Sequence, residues 1–296
     1  MYEPTPYQGP HFVTANGIQL CYDAFGDPAN PPLLMISGLG MQLTGWDEEV
    51  CTMLAERGYW VIRYDNRDVG LSTKFENAGM PNMLAALQGG DVNAPYLLQD
   101  MAADAEGLLD ALDVDSAHVL GASMGGMIAQ SVAIHYPERV RTLISIMSTT
   151  GAADLPQPKP EVAMMLLAPA AKTLAEHVEN SLAWAHVLNG PTFPVDEPRA
   201  REQAIANYER SYYPPGTGRQ LAAIFASGSR REALRSLAVP TLVIHGQADP
   251  LIPVEGGIDT AEAIPNAKLL LIEGLGHALP EATWPEVVEA IAKHAQ

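Results

Sequence analysis

"LGASMGGM", residues 120–127, sets the end of an apolar run against one serine with scarcely any side chain around it. Gly121 stands two residues before Ser123 and Gly125 two residues after it, so the stretch reads G-x-S-x-G. Upstream, "AHVLGA" (117–122) has the composition of a strand; downstream, "MGGMIAQSVAIHYPERV" (124–140) has helical spacing. A serine at such a strand-to-helix corner is held in a strained backbone conformation, and its neighbours two positions away must be small to avoid clashing across the turn. The corner projects the hydroxyl from the carboxyl edge of a sheet and aims the following N–H groups, at a helix N-terminus, at whatever the oxygen attacks. Taken alone, the same residues also describe a tight turn in which a serine caps a helix.

Outward from this corner, strands and helices alternate. "GIQLCYDAF" (17–25) alternates like an edge strand, and "PPLLMIS" (31–37) and "YWVIRYD" (59–65) are short apolar runs enclosing the helical "WDEEVCTMLAERG" (46–58). A second amphipathic helix, "LLQDMAADAEGLLDALDV" (97–114), precedes the corner, and the strand "RTLISIMS" (141–148) follows it. The alternation stops over residues 150–236, which read as helices joined by proline-rich loops, and resumes at "PTLVIHG" (240–246), "AKLLLIEG" (267–274) and a last helix from about Trp284. The pattern predicts an α/β fold: a mostly parallel sheet covered by helices on both faces, formed by residues 1–149 and 237–296, with a helical cap inserted at 150–236.

Composition narrows what such a chain meets. Its 296 residues, 47% apolar, are enough to bury a substantial core. No run approaches the roughly eighteen uninterrupted apolar residues of a membrane span, and the N-terminal stretch has neither a basic start nor an apolar signal region. A formal net charge of −18 without any Lys/Arg run argues against nucleic acid or anionic membrane as partners. Cys21 and Cys51 lie far from metal-ligand spacing, so the expectation is a cytoplasmic chain with reduced thiols and no metal. No signal of an oligomeric state is present.

A serine hydroxyl is a weak nucleophile and needs a base, itself oriented by a third group. "HGQADPLIP" (245–253) puts Asp249 in the loop after one apolar strand, and "IEGLGHALPE" (272–281) puts His277 in the loop after the next. Both loops leave the sheet at its carboxyl edge, the crevice where open α/β folds place ligands. Ser123 as nucleophile, His277 as general acid and base, and Asp249 as holder of the imidazole form a consistent set, with Asp154 the first alternative carboxylate. The loop Ser37-Gly38-Leu39-Gly40 supplies an oxyanion hole from the N–H groups of Leu39 and Met124, although a shift of one residue hands the first role to Gly40.

These residues together resemble the α/β-hydrolase fold family over nearly the whole chain. "VIRYDNRDVGLST" (61–73) resembles the family's D-x-R-G-x-G-x-S stretch, "HVLGASMGGMIAQSVAIHYPERV" (118–140) its nucleophile elbow, and "GQADPLIP" and "GLGHALPE" its acid and base loops. Within the family the chain is most similar to the branch of aclacinomycin methylesterase and related small carboxylesterases, which implies a helical cap over the triad. Two positions depart from the pattern: Ser37 stands where histidine is frequent, and Asp68 where glycine commonly follows the arginine. Asp65, Arg67 and Ser72 read as a knot tying one loop together, and His118 and His135 as core or surface histidines.

The expected activity is hydrolysis of carboxylic esters through an acyl-enzyme, without cofactor. A small hydrophobic ester is the expected substrate, with Gly38, Met164 and Met165 as candidate substrate contacts; the two methionines suit either packing or an adaptable pocket. Acyl transfer, perhydrolysis and carbon–carbon bond hydrolysis use the same triad, and a ligand receptor with a vestigial triad is the alternative of another class.

Overall fold

The short apolar runs become strands of a single eight-stranded sheet in the computed structural model, which describes residues 7–82, 90 and 92–296. Met1 to Pro6, the start of the N-terminal stretch read above, lie outside the described residues. The strands are β1 (Gln8–Ala15), β2 (Ile18–Phe25), β3 (Pro32–Ile36), β4 (Trp60–Tyr64), β5 (Ala117–Ala122), β6 (Val140–Ile146), β7 (Thr241–Gly246) and β8 (Lys268–Ile272), in the order β1-β2-β4-β3-β5-β6-β7-β8. Among the described residues, only the β1–β2 and β2–β4 pairs are antiparallel. From β4 to β8 every neighbour is parallel, and the unbroken apolar runs of β3 and β7 are explained by burial on both faces.

The helices are α1 (Glu48–Glu56), α2 (Leu98–Ala111), α3 (Met124–His135), α4 (Pro160–Leu166), α5 (Leu174–Leu188), α6 (Glu197–Ser211), α7 (Pro214–Ser227), α8 (Arg231–Leu234), α9 (Val254–Ala263) and α10 (Trp284–His294). Apolar stripes of α1 and α10 pack into the core on one face of the sheet, through Val50, Leu54, Val288 and Ile291. On the other face, α2 and α3 bury Met101, Leu108, Ile128 and Val132. Helices α4 to α8 all fall between β6 and β7, and α5 and α6 share a small core of their own around Val178, Leu182 and Ala204.

The N-terminal region differs from the sequence expectation. Strand β2 is not at the sheet edge; β1 lies outside it, joined through Asn16 and Gly17 at φ 47° and 75°. That Asn-Gly dipeptide is the signal of a two-residue hairpin, because both positions need a left-handed backbone. Helix α9 was also unread, since its paired Gly256 and Gly257 dilute the periodicity. They are there for contact: a Cβ on Gly257 would overlap the His245 ring. The helix expected over 124–140 ends at His135, before the Pro137 that opens a 3₁₀ turn.

One buried ion pair locks the antiparallel flank in register. Asp23 of β2 faces Arg63 of β4, and the guanidinium grips both carboxylate oxygens at 2.7 and 2.9 Å while also donating to the Trp46 carbonyl. Both side chains are about 1% exposed. Removing one partner strands the other charge, so Asp23→Ala should lower the unfolding free energy by about 3–5 kcal/mol in urea titrations; a loss below about 1 kcal/mol would class the pair with surface bridges.

Candidate active site

At the corner between β5 and α3, Ser123 adopts φ 56° and ψ −121°, a left-handed conformation that a side chain adopts only when its surroundings enforce it. The enforcement is visible. Ser123 N–H donates to the Ile146 carbonyl at 2.9 Å, and its own carbonyl accepts from Ser148 Oγ at 2.8 Å and Met127 N–H at 3.2 Å. A Cβ on Gly121 would overlap the Gly125 carbonyl, and one on Gly125 would overlap the Ile36 carbonyl of β3. On Gly126 it would lie 2.6 Å from Ser148 Cβ. Side chains are scarce around this hydroxyl because backbone occupies the space.

His277 reaches the serine from the loop after β8. Its Nε2 lies 2.9 Å from Ser123 Oγ, and its Nδ1–H donates to Asp249 Oδ2 at 2.7 Å. Asp249 lies in the loop after β7, where its Oδ1 accepts from the Leu251 and Ile252 N–H groups at 2.9 and 2.8 Å. A second imidazole stands beside it: His245 Nε2 is 3.4 Å from Asp249 Oδ2 and donates to the Ile252 carbonyl at 2.9 Å. Burial pushes the Asp249 carboxyl up, but the charge of His277 and hydrogen bonds from His245 and His277 outweigh it and bring it down to about 2. The carboxylate is thus ionised at neutral pH, and a proton on Nδ1 leaves His277 Nε2 free to accept from the serine.

The loop after β3 closes the site from the other side. A Cβ on Gly38 would come within 3.5 Å of Ser123 Cβ, so this loop lies against the Ser123 side chain. Leu39 is half-buried, and Met124 opens α3 fully buried. The Gly40 amide donates to Gln220 Oε1 at 2.8 Å and is thereby committed. Helices α4 to α6 touch all three loops. Gln42 donates to the Asn207 and Ser211 carbonyls at 2.6 and 3.0 Å, His277 N–H donates to the Leu188 carbonyl at 2.6 Å, and Lys159 N–H donates to the Pro250 carbonyl at 3.0 Å.

Comparison with known proteins assigns the chain to a family. Residues 31–281 match the family model described as alpha/beta hydrolase fold. The chain belongs to the α/β-hydrolase fold family. It is 32% identical to a rhodomycin D methylesterase of Streptomyces sp. (strain C5) and 31% identical to one of Streptomyces peucetius, in each case over 96% of this chain and 97% of the relative. The crystal structure of a hydrolase from Pseudomonas aeruginosa, 25% identical, superposes with a TM-score of 0.70 over 96% of this chain and 97% of that one.

The remaining residues of this α/β hydrolase singled out from sequence sit in varied surroundings. Asp65 accepts from the Leu43 and Leu71 N–H groups at 2.7 Å each, Ser72 Oγ donates to the Asp65 carbonyl at 2.6 Å, and Arg67 pairs with Asp104 at 2.6 Å. Asp68, at the family's glycine position, keeps the positive φ of 70° and grips Arg219 of α7 at 2.8 Å through both oxygens. Ser37 is buried, and its carbonyl accepts from Asn66 Nδ2 at 3.0 Å. Asp154 is exposed and pairs with Arg231, away from His277. His118 is buried on Thr142 at 2.9 Å, with burial pulling it down to about 4, and His135 is exposed at the end of α3. On α4, Met164 is 72% exposed and Met165 half-buried.

His245, Ser148 and Gln220 were not singled out. His245 and Ser148 end apolar strand runs with a polar side chain, a weak signal; Gln220, on a helix of ordinary composition, has none.

The low Asp249 value has a measurable thermodynamic consequence. A carboxyl whose folded value lies below its unfolded value, here about 2 against 3.8, contributes stability that is complete above the unfolded value and is lost as pH falls towards the folded one. Between pH 4.5 and 3, wild type should therefore lose about 1 kcal/mol more unfolding free energy than Asp249→Asn, as read from urea titrations at the two pH values. Equal losses would mean that Asp249 titrates alike in both states.

Proposed function

We propose that this carboxylic ester hydrolase works through Ser123, His277 and Asp249, with the oxyanion held by the N–H groups of Leu39 and Met124. The observation that carries the reading is the hydrogen-bonded chain from Ser123 Oγ through His277 to Asp249, 2.9 and 2.7 Å long, on a backbone corner strained at φ 56°. Ser123 Oγ attacks the ester carbonyl carbon while its proton passes to His277 Nε2, and ionised Asp249 stabilises the imidazolium. The carbonyl oxygen, now an anion, is met by the two backbone donors. Collapse of the tetrahedral adduct breaks the bond to the alcohol, which leaves with the proton from His277. Water then gives its proton to the same nitrogen as its oxygen attacks the acyl carbon, and the acid departs as Ser123 recovers its proton.

Residues 150–236 act in this reading as the cap over the site, and the Met- and Ala-rich stretch 162–188 favours a small, hydrophobic, uncharged ester, with Gly38, Met164 and Met165 as proposed substrate contacts. The buried free thiols of Cys21 and Cys51 suit a reducing compartment, and the cytoplasm is the proposed location. Among the described residues no helix is long and apolar enough to cross a membrane.

Ser123→Ala fills a site that has room for a methyl group, so the variant should fold, lose turnover of an activated acetate ester, and lose labelling by a fluorophosphonate. Asp249→Asn should retain the geometry and lower kcat roughly 10⁴-fold, because the proton settles on the wrong imidazole nitrogen. A Ser123→Ala protein that keeps both activity and label would transfer the nucleophile elsewhere, and an Asp249→Asn enzyme within about tenfold of wild type would do the same for the acid.

A further inference from the structure

The oxyanion loop is held from outside the sheet. Met41 N–H donates to the Gly38 carbonyl at 3.2 Å, and Gly40 has φ 68°, the pattern of a type II turn over residues 38–41. Leu39 and Gly40 are the two central residues of that turn, and the peptide between them is the unit that inverts when a turn passes between types I and II. Here its N–H is captured by Gln220 Oε1 at 2.8 Å. The other end of the same amide, Nε2, donates to the Arg67 carbonyl at 2.8 Å, so the side chain is fixed at both ends. Gln220 is fully buried, and a Cβ on Gly40 would lie 2.8 Å from Oγ1 of Thr217, one turn earlier on α7.

The mount itself is rigid. Beside Gln220, Arg219 clasps Asp68 through two bonds of 2.8 Å and donates to the Gly79 carbonyl at 3.1 Å and Tyr213 Oη at 2.9 Å. Tyr96 Oη donates to the same Asp68 carboxylate at 2.7 Å. A helix that is remote in sequence from the loop therefore presents a fixed acceptor to it.

We propose that Gln220 is a positioning residue for ester hydrolysis: by holding the Leu39–Gly40 peptide it sets the direction of the adjoining Leu39 N–H towards the oxyanion. The inference rests on the ester-hydrolase reading above and assigns the donor to Leu39, because the Gly40 amide is already spent. Gln220 touches no reacting atom, so its loss acts on the transition state and leaves the ground-state pocket alone.

Gln220→Leu removes both polar ends at similar size. With an activated acetate ester, kcat should fall about ten- to a hundredfold while KM stays within about twofold, as expected for a displaced oxyanion donor. Inhibition by a trifluoromethyl ketone, which forms an oxyanion on Ser123, should weaken by the same factor as kcat. If Gln220→Leu fails to fold by circular dichroism, Gln220→Asn, whose amide is one methylene short of Gly40, makes the same test. A folded variant with kcat and ketone inhibition within about twofold of wild type overturns the proposal, as does one whose kcat falls while ketone inhibition is unchanged. Failure of wild type to turn over any ester would instead overturn the hydrolase reading itself.

Discussion

Backbone pressed against backbone, where β5 turns into α3, is the constraint on which the rest of the site depends. Gly121, Gly125 and Gly126 let the first turn of α3 sit on the end of β3 and on Ser148 with no side chain between them. That closeness forces Ser123 into its left-handed conformation and brings the loop after β3 against its Cβ. Because β3, β5, β7 and β8 are parallel, the loops carrying Leu39, Ser123, Asp249 and His277 all leave the same edge of the sheet. Residues 154 positions apart in sequence thus come to share a proton.

A second layer of organisation is electrostatic. The formal charge of −18 belongs to the whole chain, yet several carboxylates are buried and individually answered: Asp23 by Arg63, Asp104 by Arg67, Asp65 by Arg210 and Asp68 by Arg219. Buried pairs of this kind add less to stability than their attraction implies, because desolvation takes most of it back. Their value is directional, since each fixes how two segments meet. Asp249 follows the same rule with imidazole and backbone donors in place of arginine, and is held as an anion although burial pushes its pKa up.

Much of this was legible in the sequence because it rests on short-range rules. The parallel strands announce themselves as apolar runs, and Ser123, Asp249 and His277 stand in loops marked by glycine and proline directly after such runs. The strand β1 left a signal in Asn16-Gly17 that the expectation of an edge strand over 17–25 passed over, since its half-exposed residues lack a clean alternation. What escaped was tertiary. The helical glycines of α9 make sense only beside the His245 ring and Thr149, and Gln220 looks like any polar helix residue until its partners, 180 and 153 positions away, are in view.

Asp68 carries a consequence for how this enzyme can change over generations. Directly after Arg67, the chain bears a buried carboxylate whose counter-ion, Arg219, stands on α7. A foreign insertion transplanted onto this sheet would arrive without the guanidinium and leave an orphaned anion beneath it, next to the loop that carries Leu39. Losing either side of the clasp alone would strand a buried charge, so the loop that carries Asp68 and the helix that carries Arg219 can be exchanged only as a matched pair.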